Sequence, residues 1–162
     1  MPKYDAPNPN RIRRAKAVAK SQELLGHQGT VRMYAFGVGG PEPERSKLYL
    51  VAGVVGCIVV SALLGAVIVP GILGVALVRR WINPPRGVGI ANEGVLVTNE
   101  SFWNARPTEV ITLVGHDALG AVIDSTKSHV RLQLGPELVW LRRAELDILN
   151  AARQGMYTQA VA

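Results

Sequence analysis

The chain has 162 residues, 48% of them hydrophobic, and 18 Lys and Arg against 12 Asp and Glu give a net charge of +6. That length holds one modest domain with appendages and excludes two large ones. The single cysteine, Cys57, excludes a disulfide framework and a cysteine-based metal site within one chain.

The charge is uneven. Residues 1–47 carry nine Lys/Arg against four Asp/Glu, and residues 79–162 carry nine against eight. The first part reads as a basic arm and the last as a nearly neutral folded domain. Within the arm, the Pro-rich start MPKYDAPNP reads as disordered. Asn10 caps a helix over RIRRAKAVAKSQELL that Gly26 ends. Its apolar stripe is thin: Ile12, Ala15, Val18 with Ala19, and Leu25. Arg11, Arg13, Arg14, Lys16 and Lys20 make it a helix suited to an anionic lipid leaflet, or a plain basic flank that sets topology. No aromatic residue interleaves with these charges to stack on bases, which argues against nucleic acid. A loop with a short strand at Thr30–Phe36 follows.

Leu48 to Val78 is a run of 31 residues without a charge. No leader-like apolar stretch precedes it, so it reads as an uncleaved internal membrane anchor. As one helix it is about 46 Å long, against about 30 Å of hydrocarbon. Two topologies stay open. A short hairpin suits the tied basic flanks (Arg32, Arg45 and Lys47 against Arg79, Arg80 and Arg86). It also suits Tyr49 and Trp81 as interfacial anchors, and the breakers Gly65, Pro70 and Gly71. A single kinked span suits the stripe Gly53, Cys57, Ser61 and Gly65, whose small residues let membrane helices pack closely. Arg79 and Arg80 join the arm as candidate lipid-headgroup contacts.

Past Asn83-Pro84-Pro85 the pattern alternates. Strands are predicted near Gly87–Ala91, Gly94–Thr98, Glu109–Val114, Ala121–Asp124, His129–Leu134 and Glu137–Leu141, with Gly and Asn turns between them. A closing helix runs over RRAELDILNAARQ, ended by Gly155. The chain thus divides into an arm (1–47), a membrane segment (48–82), a β-rich domain (83–155) and a tail (156–162). Its fold class is membrane-anchored α+β, a small antiparallel sheet with a C-terminal helix.

In the order GIANEGVLVTNESFW, EVITLV, HVRLQL, ELVWL and a final helix behind a basic-flanked apolar segment, the chain resembles bacterial membrane-anchored PH-like domain proteins. The resemblance implies a cytoplasmic PH-like barrel that binds a protein partner or lipid headgroups and does no chemistry.

The residues that carry chemistry are sparse. His27, His116 and His129 have no metal-ligand spacing, and H-E-x-x-H, Walker A and G-x-S-x-G patterns are missing. No catalytic residue, metal or cofactor is expected. Lys127, His129 and Arg131, with Arg142 and Arg143 at the last helix, form a candidate binding face or an ordinary solvated one. Trp140 reads as core, and Phe102 with Trp103 as a pair with one ring exposed. The expectation is a non-enzymatic adaptor at the cell membrane, with arm and domain in the cytoplasm. It would bind a protein partner or anionic lipid, or self-associate through the apolar segment. The alternatives are a holin-like membrane-active protein and an accessory subunit of a larger membrane complex.

Overall fold

The computed structural model describes residues 9–43, 51–56, 58, 59, 62, 78, 81–101 and 104–161. Helix α1 (Pro9–Leu25) opens the chain. Pro9 fits the first helical turn, where its missing N–H has no acceptor to lose. One stripe of α1 is buried, Ala17, Ser21 and Leu25, four residues apart. The predicted stripe through Ile12 and Ala15 is exposed instead. The small Ala17 and Ser21 let the helix axis lie close over the sheet. A short 3-10 turn (Gly26–Gln28) follows. The side chain of Gln22 ties it down, accepting from Val31 N at 2.7 Å and donating to Gly29 O at 2.7 Å.

Seven antiparallel strands then form one curled sheet: β1 (Val31–Gly39), β2 (Pro85–Ala91), β3 (Gly94–Glu100), β4 (Pro107–Val114), β5 (Val122–Ser125), β6 (His129–Leu134) and β7 (Glu137–Arg142). Their order is β4-β3-β2-β1-β7-β6-β5. Two meanders, β2 to β4 and β5 to β7, are therefore joined by β1. This strand pairs with β2 from Val31↔Ala91 to Val38↔Pro85 and with β7 from Gly37↔Leu141 to Gly39↔Val139. Helix α2 (Arg143–Val161) closes the chain. It runs through Gly155 rather than stopping there. A helical glycine costs only about 1 kcal/mol relative to alanine, too little to end a helix by itself.

Strand alternation splits the interior in two. Ala35, Val88, Ile90, Val95, Val97, Val130, Leu132, Leu134, Val139 and Leu141 point to one face, where Leu149 of α2 and Leu119 of the 3-10 turn His116–Gly120 cover them. Leu96 and Ala91 point to the other face, where they pack with Val31 and with Leu25 of α1. Tyr34 is also on the α1 face and is fully buried. It fits because β2 carries glycines opposite: a Cβ on Gly87 would lie 1.5 Å from the Tyr34 hydroxyl oxygen.

The expected membrane-anchored fold is corrected here. Among the described residues, no helix is long and apolar enough to cross a membrane. The expected transmembrane span is not found among the described residues, which include only 51–56, 58, 59, 62 and 78 of Leu48–Val78, and the sheet does not begin after the apolar stretch. β1 precedes that stretch and β2 follows it, yet the two strands pair side by side. Gly39 N donates to Pro84 O at 2.8 Å, and Asn83 Nδ2 donates to the carbonyls of Gly39 (3.0 Å) and Pro41 (2.9 Å). Gly40, at φ 83°, lies so close that a Cβ would sit 2.1 Å from Ile82 O. The chain leaves the sheet and returns at one point. The described strands before and after that stretch therefore belong to one sheet. Hydropathy records how poorly a segment suits water and carries no information on which strands flank it in the fold.

Of the predicted packing stripe, Gly53 is half-buried, with the Val78 side chain nearest to it. Cys57, Ser61 and Gly65 lie outside the described residues, as do Arg45, Lys47, Tyr49, Pro70, Gly71, Arg79, Arg80, Phe102, Trp103 and the Pro-rich residues 1–8. Trp81 is 88% exposed, and Val51, Val55, Ile58 and Val59 are exposed as well. Arg86, expected as a flank of the apolar stretch, instead pairs with Glu137 at 3.1 Å and donates to the Asn99 side chain.

The Gly87–Tyr34 contact makes a specific prediction. Gly87→Ala should lower stability by about 2 kcal/mol, because the tyrosine ring must move within a packed layer. Gly120→Ala, with open space at its Cβ position, should change it little. Chemical denaturation of both variants measures the contrast.

Candidate functional site

The face of the sheet that holds α1 is covered only in part by the described residues. A cleft of about 860 Å³ opens there, lined by Arg13 and Arg14 of α1, Phe36 and Val38 of β1, Glu100 at the end of β3, His129 of β6, Trp140 and Arg142 of β7, and Glu145 of α2. Alternation explains the set. Tyr34, Phe36 and Val38 share one face of β1, and Val38 stands opposite Trp140 across the β1–β7 ladder. His129 stands opposite Arg142, and Arg131 opposite Trp140.

The rings form the floor. Phe36 meets Tyr34 edge to face at 5.5 Å, and the Arg13 guanidinium lies 4.4 Å from the centre of the Phe36 ring. Trp140 is buried, donates from Nε1 to Gly40 O at 3.2 Å and has Arg131 over its ring at 5.6 Å. One hydrogen bond thus links this floor to the point where the apolar excursion leaves the sheet.

Two carboxyl groups lie in the cleft, in different states. Glu145 pairs with Arg14 at 2.8 Å and accepts from Phe36 N at 3.3 Å. Glu100 is 5% exposed, and its Oε1 has no hydrogen-bond partner. Burial pushes its pKa up from 4.5 to about 8, with nearby Glu145 acting in the same direction, while Tyr34 and Arg13 oppose the shift. Tyr34 is raised as well, first by burial and then by the Glu100 charge; its hydroxyl is 2.6 Å from Thr98 Oγ1. At neutral pH Glu100 is therefore mostly uncharged.

The basic residues singled out in the sequence do not act as one surface. Arg13 and Arg14 face the cleft, Lys20 pairs with Glu23 at 2.6 Å, and Arg11 and Lys16 are exposed. In the C-terminal set, His129 and Arg142 join the cleft and Arg131 caps Trp140. Arg143 donates to the Thr126 carbonyl from Nη2 at 2.8 Å, and Lys127 is exposed. Sequence reasoning missed Phe36, Glu100 and Glu145. Glu100 had a readable signal: in GVLVTNE it occupies the same alternate set as Leu96 and Thr98, an acid at an inward position.

Among the described residues, no three His, Cys, Asp or Glu side chains are grouped to hold a metal ion. Comparison with protein-family models, with curated proteins and with solved structures finds no match.

The buried acid has a consequence for stability. In the unfolded chain Glu100 loses its proton near pH 4.5, and in the folded protein near pH 8. Its contribution is complete below pH 4.5, declines as pH rises, and is gone above pH 8. Glu100→Gln should flatten this decline and stabilise the protein at pH 9 by on the order of 2 kcal/mol. Unfolding free energies of both proteins at pH 5, 7 and 9 would show it.

Proposed function

We propose that the protein is a non-enzymatic adaptor that captures the anionic group of a ligand in the cleft on the α1 face. The observation that carries this reading is the meeting of Arg13 and Arg142, from opposite ends of the described chain, over an aromatic floor. Neither arginine is in a salt bridge among the described residues. Among the described residues the ion pair of the cleft, Arg14–Glu145, is internally neutral, and Glu100 is mostly protonated at neutral pH. The cleft is thus cationic at its mouth, and guanidinium groups bind carboxylate and phosphate with two parallel hydrogen bonds.

In that reading the anion belongs to a lipid headgroup or to an acidic protein partner.

Binding to phosphatidylglycerol vesicles, to neutral phosphatidylcholine vesicles and to an acidic peptide, followed by tryptophan fluorescence, separates the ligand classes. Arg13→Gln with Arg142→Gln should weaken binding of the preferred anion by about tenfold or more, roughly 1.4 kcal/mol. Arg11→Gln with Lys16→Gln, outside the cleft, should cost far less. Equal losses for the two pairs would mean a diffuse basic surface and no site.

A further inference from the structure

The cleft contains one group that an anion-binding site would not be expected to tolerate. Glu100 stands in the same cleft as Arg13 and Arg142, is nine-tenths buried, and leaves Oε1 without a hydrogen-bond donor. A buried acceptor without a donor costs about 1–3 kcal/mol, and a buried unpaired carboxylate costs more. Either a proton on Glu100 or a donor supplied by the ligand relieves that cost.

The surroundings limit what else can relieve it. From α1 come Arg13, which acts on Glu100 electrostatically, and Ser21, whose Oγ also has no hydrogen-bond partner. From β1 comes Tyr34, whose hydroxyl shares a hydrogen bond with Thr98 of β3 and also favours the ionised Glu100 by hydrogen bonding, yet Glu100 Oε1 remains without a partner. From α2 comes Glu145, a second acid that opposes ionisation of Glu100. From β4 the cross-strand neighbour is Pro107, which has no N–H to give. His129 of β6 and Arg142 of β7 line the same cleft. Arg13 is the one cation among these shown to act on Glu100, and an anion in the cleft would compete for it.

We propose that the cleft takes up an oxyanion together with one proton, and that Glu100 is the residue that demands the proton. This rests on the anion-binding reading of the cleft and extends it to the class of anion. An oxyanion without a proton binds as Glu100 gains one from solvent: the carboxylate, the anion and one proton combine, and one O–H bond forms. An oxyanion that retains its own O–H group, such as hydrogen phosphate, supplies the donor itself and needs no proton from solvent. A site whose buried acceptor requires a donor discriminates against the analogue that lacks it.

Sulfate and inorganic phosphate are the probes. Above neutral pH both are dianions of similar size, and only phosphate keeps an O–H. Their affinities for the full chain would be measured by amide chemical-shift titration at constant ionic strength from pH 7 to 9.5. Sulfate affinity should fall increasingly above pH 7 and approach a tenfold loss per pH unit past about pH 8, the range set by the raised Glu100 pKa. Phosphate affinity should fall much less, so the ratio of phosphate to sulfate affinity grows with pH. In Glu100→Gln the sulfate profile should become flat while binding persists. Repeating the wild-type profile in a His129→Gln background removes the imidazole as a titrating group and should leave the slope in place.

Sulfate binding with no pH dependence, or a slope that survives Glu100→Gln, overturns the proton requirement and leaves the anion cleft standing. Failure of either anion to bind saturably at pH 7 overturns both. The wild-type comparison of two anions decides the matter even if the Glu100→Gln chain fails to fold.

Discussion

β1 carries hydrogen bonds on both of its edges, to β2 along most of its length and to β7 at its C-terminal end. Everything else in the structure is arranged around that double pairing. Without β1, the meander β2–β4 and the meander β5–β7 are separate ribbons, each with an apolar face to cover. With it they form one curved sheet, α2 covers one face, and α1 lies across the other. Among the described residues, the cleft lies where α1 does not reach across that second face.

On that face polar groups collect beneath α1. Thr98 and Glu100 share one face of β3, and Tyr34 of β1, level with Gly89 and Leu96, reaches diagonally over Gly87 of β2 to Thr98, because Gly87 has no side chain to interpose. A side chain at 87 would stand between the Tyr34 hydroxyl and Thr98. Its absence creates a continuous buried polar strip that runs from the tyrosine to the cleft. The strip costs stability at high pH, since Glu100 sheds its proton there inside a dry environment. Costs of that kind concentrate at sites that do something other than hold the fold together.

The sequence was legible wherever a signal was local. The alternation in HVRLQL placed β6 to the residue, and the other strands were placed to within a few positions at each end. α1 and its boundary at Gly26 followed from composition, and the core position of Trp140 followed from ELVWL. What could not be read was which strands meet. The pairing of Gly37 with Leu141 joins residues far apart in the chain, and no local pattern records it. The cleft inherits that difficulty, for Arg13, Glu100 and Arg142 become neighbours only through β1. The apolar stretch was misread for a related reason. Its length and lack of charge fitted a membrane span, and nothing within it told that the residues on either side of it are hydrogen-bonded to each other.

The closure of residues 40–84 at Gly39 and Pro84 also bears on the order in which the molecule assembles. Strands within each meander are joined by short turns, so their pairing closes small loops. β1 must close a long loop to reach β2 and a longer one to reach β7. Loop entropy grows slowly, by about 0.6 kcal/mol for each doubling of length, but it must be met before the contacts that repay it exist. Loop-closure entropy thus favours pairing within each ribbon before β1 is added. Until it arrives, each ribbon has an unpaired edge facing the other, β2 on one side and β7 on the other. Newly made chains are most open to mispairing with one another at those two edges, during the interval before the strand between them is in place.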